Sequence, residues 1–247
     1  MRRIEARNAL SVAARVLQQI SSVYRYAIRT GRATYNPAAD LTGSIRTRRT
    51  IHRAALSRDE LPEFLRRVNA YQGHPTTRLA LKLLVLTFVR SAELRGARWT
   101  EFDFEWREWR IPASRMKMNV EHIVPLASPA LAVLDELHPL TGRYELLLPN
   151  RDNPHKPMSA NGLLHAIYRM GYYESGTVHG FRATASTILH EMGFKPDVIE
   201  RQLAHAERSQ VRAAYHRSEY LADRRQMMQA WSIYIEGLIG GKSHEQG

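Results

Sequence analysis

The chain has 247 residues, is 44% hydrophobic, and carries a formal net charge of +12 with a sequence pI of about 10.3. That supports a sizeable core in one or two domains, and no stretch approaches the roughly 20 apolar residues that span a bilayer. Cysteine is absent, which excludes disulfides, thiolate metal sites and cysteine nucleophiles and makes the cytoplasm the expected compartment.

The excess charge lies at the front. Residues 1–55 hold eleven arginines against Glu5 and Asp40, a balance of +9. Planar donor forks at that density suit phosphate, so a polyanion is the expected partner; a merely solvated basic face is the plain alternative. A membrane surface fits less well, because the basic stretch has no apolar face rich in Trp or Phe. The opening MRRIEARNALSVAARVLQQ lacks a continuous apolar run and a cleavage site, so no signal peptide is read.

Over residues 8–30, Leu10, Ala13, Leu17, Ile20, Tyr24 and Ala27 recur at helical spacing, Gly31 suits a C-cap, and Asn36-Pro37 stops the pattern. One long helix cannot bury its own apolar stripe, so residues 1–45 read as the end of a helical domain. The polar, basic and aperiodic GSIRTRRTIHRA that follows reads as a linker. Arg25 and Arg29 on the helix, and Arg46, Arg48, Arg49 and Arg53 on the linker, are the expected DNA-phosphate contacts. Ser57 opens a second unit with a capping box, SRDE, placing Asp59 and Glu60 in the first turn.

Helices are predicted over 58–71, 76–88 and 91–97. The alternation in FDFEWREWRI predicts a strand over 102–111, and VEHIVPL a second over 120–126, with a hairpin around Ser114–Asn119. Further helices fit 128–138, 159–171, 180–192, 195–204, 209–217 and 219–238. The fold class is therefore mainly α with a small antiparallel β-sheet, an α+β arrangement.

Four clusters carry candidate chemistry. In TFVRSAELRGARW, Arg90 follows directly on an apolar helix, and Glu93, three residues on, suits an orienting carboxylate. An ordinary surface ion pair, worth little, is the alternative. In RMKM, Lys117 falls in the hairpin turn, where a flexible ammonium is either solvated or able to deliver a proton. In VHGFRATAST, His179 and Arg182 share one face at a helix start, beside Gly180 and free amides, a ready phosphate site or simply a capping histidine with a surface arginine. In QLAHAERSQVRAAYHRSEYL, His205 follows one helix and Tyr215 sits in the next. Alone, Tyr215 is one of eleven tyrosines and more simply a packing residue. No two histidines stand at i, i+3 or i, i+4, so neither a metal nor another cofactor is expected.

Taken in this order and at these separations, the clusters resemble the tyrosine recombinase, or phage integrase, family, above all integrases of satellite phages, genomic islands and prophages. ELRGARWTEFD, IPASRMKM, HGFRATAST and VRAAYHRSEYLADRRQMMQAW carry the likeness. It runs continuously over residues 55–235, while residues 1–45 resemble the end of the family's helical, SAM-like core-binding domain. The implied division is 1–45 partial core-binding domain, 46–55 basic linker, 56–240 catalytic domain and 241–247 flexible tail.

The resemblance implies a site-specific DNA recombinase working through a 3′-phosphotyrosine in prophage or genomic-island integration and excision. Arg90 and Arg182 would clamp the scissile phosphate, and Lys117 would be the general acid towards the 5′ oxygen. His179 and His205 would support the phosphate and proton transfer, Tyr215 would be the nucleophile, and Glu93 would support Arg90. Tyr220 is the fallback nucleophile. Fixed Arg and His donors stabilise the charge of a phosphodiester transition state, and a covalent intermediate conserves bond energy for resealing.

Implied partners are double-stranded attachment-site core DNA, three further copies in a homotetramer on DNA (a monomer in isolation), a host bending protein and an excisionase, with no membrane. Nucleoid association when bound to DNA follows. Family members of this kind carry an arm-binding and a complete core-binding domain, so the chain is expected to be N-terminally truncated and to bind core DNA weakly and without sequence preference. The C-terminal helix, with Met227, Met228, Trp231 and Tyr234, either exchanges between protomers or packs on its own domain. Two rival functions stay open: type IB topoisomerase-like strand cleavage, and a catalytically silent DNA-binding remnant of a degenerate prophage.

Overall fold

A computed structural model describes residues 2–44, 55–173, 180–205 and 220–240. It divides into two compact units, Met1–His52 and Arg53–Gly247.

The first unit holds a short α1 (Arg2–Glu5) and the long α2 (Leu10–Arg29). Gly31, at φ +70°, closes α2: its amide donates to Ile28 and that of Arg32 to Ala27, the paired bonds of a Schellman cap. Asn36 then folds the chain back. Its Oδ1 accepts from the Ala38 amide at 3.1 Å, and its Nδ2 donates to Ser21 Oγ on α2 at 3.0 Å. Among the described residues of this unit only Ala13 and Ala38 are buried, while Val23 and Tyr26 are more than 60% exposed.

The second unit is built around α4 (Pro75–Thr87), whose sequence RLALKLLVLT is apolar on nearly every side. A helix of that kind belongs in the centre, and α3 (Leu61–Asn69), α6 (Ser128–Thr141), α7 (Gly162–Arg169) and α10 (Leu221–Ile239) pack round it. Trp231 of α10 meets Phe88 edge-on at 5.9 Å and donates its indole N–H to the Val85 carbonyl. The buried face of α10, Met227, Met228, Trp231 and Ile235, thus packs within its own chain. The capping box forms as read: the Ser57 amide donates to Glu60 Oε2 at 2.8 Å, and the Glu60 amide returns to Ser57 Oγ at 3.3 Å. It closes a turn one step ahead of α3, which begins at Leu61.

The sheet has three antiparallel strands in the order β1 (Phe102–Asp103), β2 (Glu108–Ile111) and β3 (His122–Pro125). The single strand predicted over 102–111 is therefore two strands. Asp103 Oδ1 accepts from the Trp106 amide, and Arg107 adopts φ +54°, a tight turn that brings Phe102 opposite Trp109. Trp109 and Ile111 point into the core, and the aromatic residues of the turn, Phe104 and Trp106, face outward. Mainly helical with one small antiparallel sheet, the fold has the expected class. The helix read at 209–217 lies outside the described residues. No helix among the described residues is long and apolar enough to cross a membrane.

Candidate active site

Two helix ends and two helix starts build the site. α4 ends at Phe88, which turns left-handed at φ +38°, and Arg90 follows as the extended N-cap of α5 (Ser91–Arg95). α8 (Gly180–Glu191) carries Arg182 in its first turn, pinned by Thr184 Oγ1 donating to the Leu56 carbonyl at 2.7 Å. α9 (Pro196–Gln202) ends in a Schellman cap with Ala204 at φ +48°, a conformation that glycine adopts more easily.

The arginines meet on the carbonyls that these ends expose. Arg182, 5% exposed, donates Nη1 to the Phe88 carbonyl at 2.8 Å and Nη2 to the Leu203 carbonyl. Arg90 donates Nη2 to the Ala204 carbonyl at 3.1 Å. The negative ends of two helix dipoles thus face two cations. Glu93, itself 5% exposed, takes the other side of Arg90. Its Oε1 accepts from Nη1 at 2.7 Å and its Oε2 from the backbone amide at 2.8 Å, so one carboxylate fixes both ends of the residue.

Carbonyls orient a guanidinium without neutralising it. Arg182 forms no ion pair with the described residues, and burial first, then the charge of Arg90, lowers its pKa to about 10. It remains a cation at neutral pH, and its cost of burial falls when an anion arrives.

His205 sits immediately beyond Ala204, half exposed. Glu200 holds it twice: its carbonyl accepts the His205 amide at 3.1 Å, and Oε2 lies 2.6 Å from Nδ1. A carboxylate only accepts, so Nδ1 carries the proton in this contact.

Lys117 lies exposed in the turn after the short 3-10 segment Ala113–Arg115, and it makes no hydrogen bond or ion pair with the described residues. Its turn is tied to α5 by Arg115, whose Nη2 donates to the Glu93 carbonyl at 2.6 Å and whose Nε stands 3.3 Å from Glu101. Arg90, Glu93, Arg182 and His205 are thus brought together, and the Lys117 turn is tethered to the same helix. His179, Tyr215, Arg46, Arg48, Arg49 and Arg53 lie outside the described residues. Arg25 and Arg29 stand exposed on α2. Tyr220 packs against the core, its hydroxyl 3.5 Å from Asp197.

Sequence reasoning passed over Arg115, His122, Gln202 and Arg224. His122 is 5% exposed and kept neutral: burial, then the charges of Arg224, Arg201 and Arg182, hold its pKa well below the usual imidazole range. A lone His or Gln in a strand or helix gives no sequence signal of this kind, because the neighbours that define its role lie far away along the chain.

Residues 54–221 match the Phage integrase family, and residues 1–44 match the Phage integrase central domain. The integrase of Enterobacteria phage P4 is 44% identical over 252 residues, covering 96% of this chain and 57% of that protein. Prophage integrase IntA of Escherichia coli K12 is 39% identical over 238 residues, 96% of this chain and 58% of that protein. The chain therefore spans under two thirds of the length of these relatives. Among solved structures, lambda integrase (residues 75–356), a dimer bound to a COC′ core site, superposes with a TM-score of 0.63 at 20% identity, covering 83% of this chain and 75% of that one. The lambda integrase tetramer bound to a Holliday junction gives 0.64 at 18% identity, over 84% and 62%. At that identity the likeness is one of fold. The family match and the curated relatives carry the conclusion that the chain belongs to the phage integrase family of tyrosine recombinases, in its satellite-phage and prophage branch.

Proposed function

We propose that the chain is the DNA-cleaving part of a site-specific recombinase that integrates and excises a prophage or genomic island. The observation that carries this reading is the pair of arginines, Arg90 and Arg182, fixed on three helix-end carbonyls with His205 presented beside them. Arg182 has no contacting carboxylate among the described residues, and Arg90 shares its charge with Glu93. Rigid cationic donors of this kind suit a dianionic phosphorane-like transition state, and each is worth on the order of 3 kcal/mol in kcat.

In this reading Arg90 and Arg182 clamp the non-bridging oxygens of the scissile phosphate, with Glu93 orienting Arg90. Tyr215 attacks phosphorus, forming a 3′-phosphotyrosine as the 5′ oxygen leaves, and Lys117 gives that oxygen its proton. His179 and His205 support the phosphate and the proton's passage. Reversal of the step by the 5′ hydroxyl of another strand rejoins DNA and frees the tyrosine, so no external energy source enters.

The chemistry belongs to residues 56–240, with 1–45 as part of a core-binding domain, 46–55 as a basic linker and 241–247 as a tail. Arg25, Arg29, Arg46, Arg48, Arg49 and Arg53 supply sequence-independent phosphate contacts. The partners proposed are duplex attachment-site DNA, a homotetramer assembled on it, a host bending protein and an excisionase, in the bacterial cytoplasm. The test is covalent trapping on nicked suicide duplexes that tile the DNA flanking its own gene. The wild-type chain is expected to form a protein–DNA adduct and Tyr215→Phe none; a normal adduct yield in Tyr215→Phe would overturn the assignment.

A further inference from the structure

Gln202 is 1% exposed in the last turn of α9, and its side chain meets two other elements. Its Oε1 accepts two bonds from Arg224 of α10, from Nε at 3.0 Å and from Nη2 at 2.7 Å. Its Nε2 stands 3.5 Å from the Thr87 carbonyl at the end of α4. Arg224 also donates to the Ile123 carbonyl of β3, so four elements join at one amide–guanidinium pair.

This pair is an expensive way to fill a core. Arg224 is 4% exposed, and its hydrogen-bond partners among the described residues are neutral oxygens; the charge of Glu108 reaches it without an ion pair. Burial and the charge of Arg201 lower its pKa to about 9. A buried cation without a contacting carboxylate contributes less to stability than an apolar side chain of similar volume, so bulk stability does not account for it. Directional bonds do. Thr87 directly precedes Phe88, and Gln202 directly precedes Leu203 and Ala204, so the pair grips the backbone within two residues of each of the three carbonyls that hold Arg182 and Arg90.

We propose that Gln202 and Arg224 are positioning residues for cleavage, locking the ends of α4 and α9 so that their carbonyls fix the two phosphate-binding arginines. The inference rests on the recombinase reading of those arginines. A displacement near 1 Å of groups around a reacting phosphate lowers a rate by about 100-fold. Ground-state attraction to DNA, which depends on total charge, changes far less.

The experiment is single-turnover adduct formation by the full chain on the cleaved suicide duplex, with DNA affinity and thermal melting measured alongside. Arg224→Met, which keeps the stem and volume, is expected to slow adduct formation about 100-fold while leaving Kd within about threefold, the pattern of an interaction felt in the transition state. Arg224→Lys, which keeps the charge but only one donor nitrogen, should fall between Arg224→Met and wild type. A purely structural role predicts a lower melting temperature with a wild-type rate well below melting, and that result would overturn the proposal. Should Arg224→Met fail to fold, Arg224→Lys and Gln202→Leu decide on the same rate. Absence of adduct from the wild-type chain itself would instead sink the recombinase reading, and this inference with it.

Discussion

Arg25 and Arg29 stand in solvent on α2, where Arg25 donates to the Ser22 hydroxyl one turn away at 3.1 Å. Arg182, in the second unit, is 5% exposed and donates to carbonyls 94 and 21 residues away in sequence. Both sets are cations, and the physical consequences differ. Exposed arginines keep their rotamer freedom and attract a polyanion by charge alone, an effect that salt screens. Buried, carbonyl-held arginines have already lost that freedom during folding, so they meet a phosphate without further ordering. The first arrangement suits adhesion to any duplex and the second suits chemistry at one phosphate.

The largest effect is expected for Arg182→Gln, which keeps two donors and removes the charge. Adduct formation should fall about 100- to 1,000-fold, with little change in the salt dependence of DNA binding. A loss of less than about tenfold would place Arg182 with the loosely held arginines.

His122 offers a pH test of the buried, cation-rich setting behind the site. Its pKa in the folded chain lies well below that of an unfolded histidine. The unfolded state therefore binds the extra proton first. The stability due to neutral His122 is complete above the unfolded pKa and is lost as pH falls through and below about 6.5, at roughly 1.4 kcal/mol per pH unit. Replacing His122 with Phe should flatten that fall in denaturant titrations between pH 6.5 and 5 relative to wild type. An unchanged pH slope would show that burial and the neighbouring arginines do not keep His122 neutral.

Arg25→Gln combined with Arg29→Gln should leave single-turnover cleavage of bound DNA intact and reduce the log–log salt slope of binding by roughly 1.8, about 0.9 per phosphate contact. The smallest effect is expected for Ala204→Gly. It relieves a left-handed alanine at the cap of α9 and should raise stability by about 1 kcal/mol or less, read as a small rise in Tm.

Much of the fold was legible because its signals are local. The apolar run of α4 announces a central helix, Ser57 and Glu60 form the box that their spacing suggests, and Gly31 caps α2. The strand read over 102–111 failed because Arg107 enters the left-handed region, which an arginine gives no warning of, and the alternation continues across the turn. Of the candidate site residues, Arg90, Glu93, Arg182 and His205 come from ordered motifs, and the structure brings them to one place. Arg115, Gln202 and Arg224 drew no notice in the sequence because their bonds run across tertiary contacts. Arg224 meets Gln202 and Ile123, 22 and 101 residues away, and no spacing rule links them.

The cradle under the two arginines has one further consequence. Its three acceptors are main-chain oxygens of Phe88, Leu203 and Ala204, which every amino acid supplies. Substitution at those positions alters packing or backbone preference but deletes no acceptor. Evolution can therefore drift the residues beneath the site while the guanidinium contacts persist, and a mutational scan should find those three positions more permissive towards cleavage than the arginines they hold.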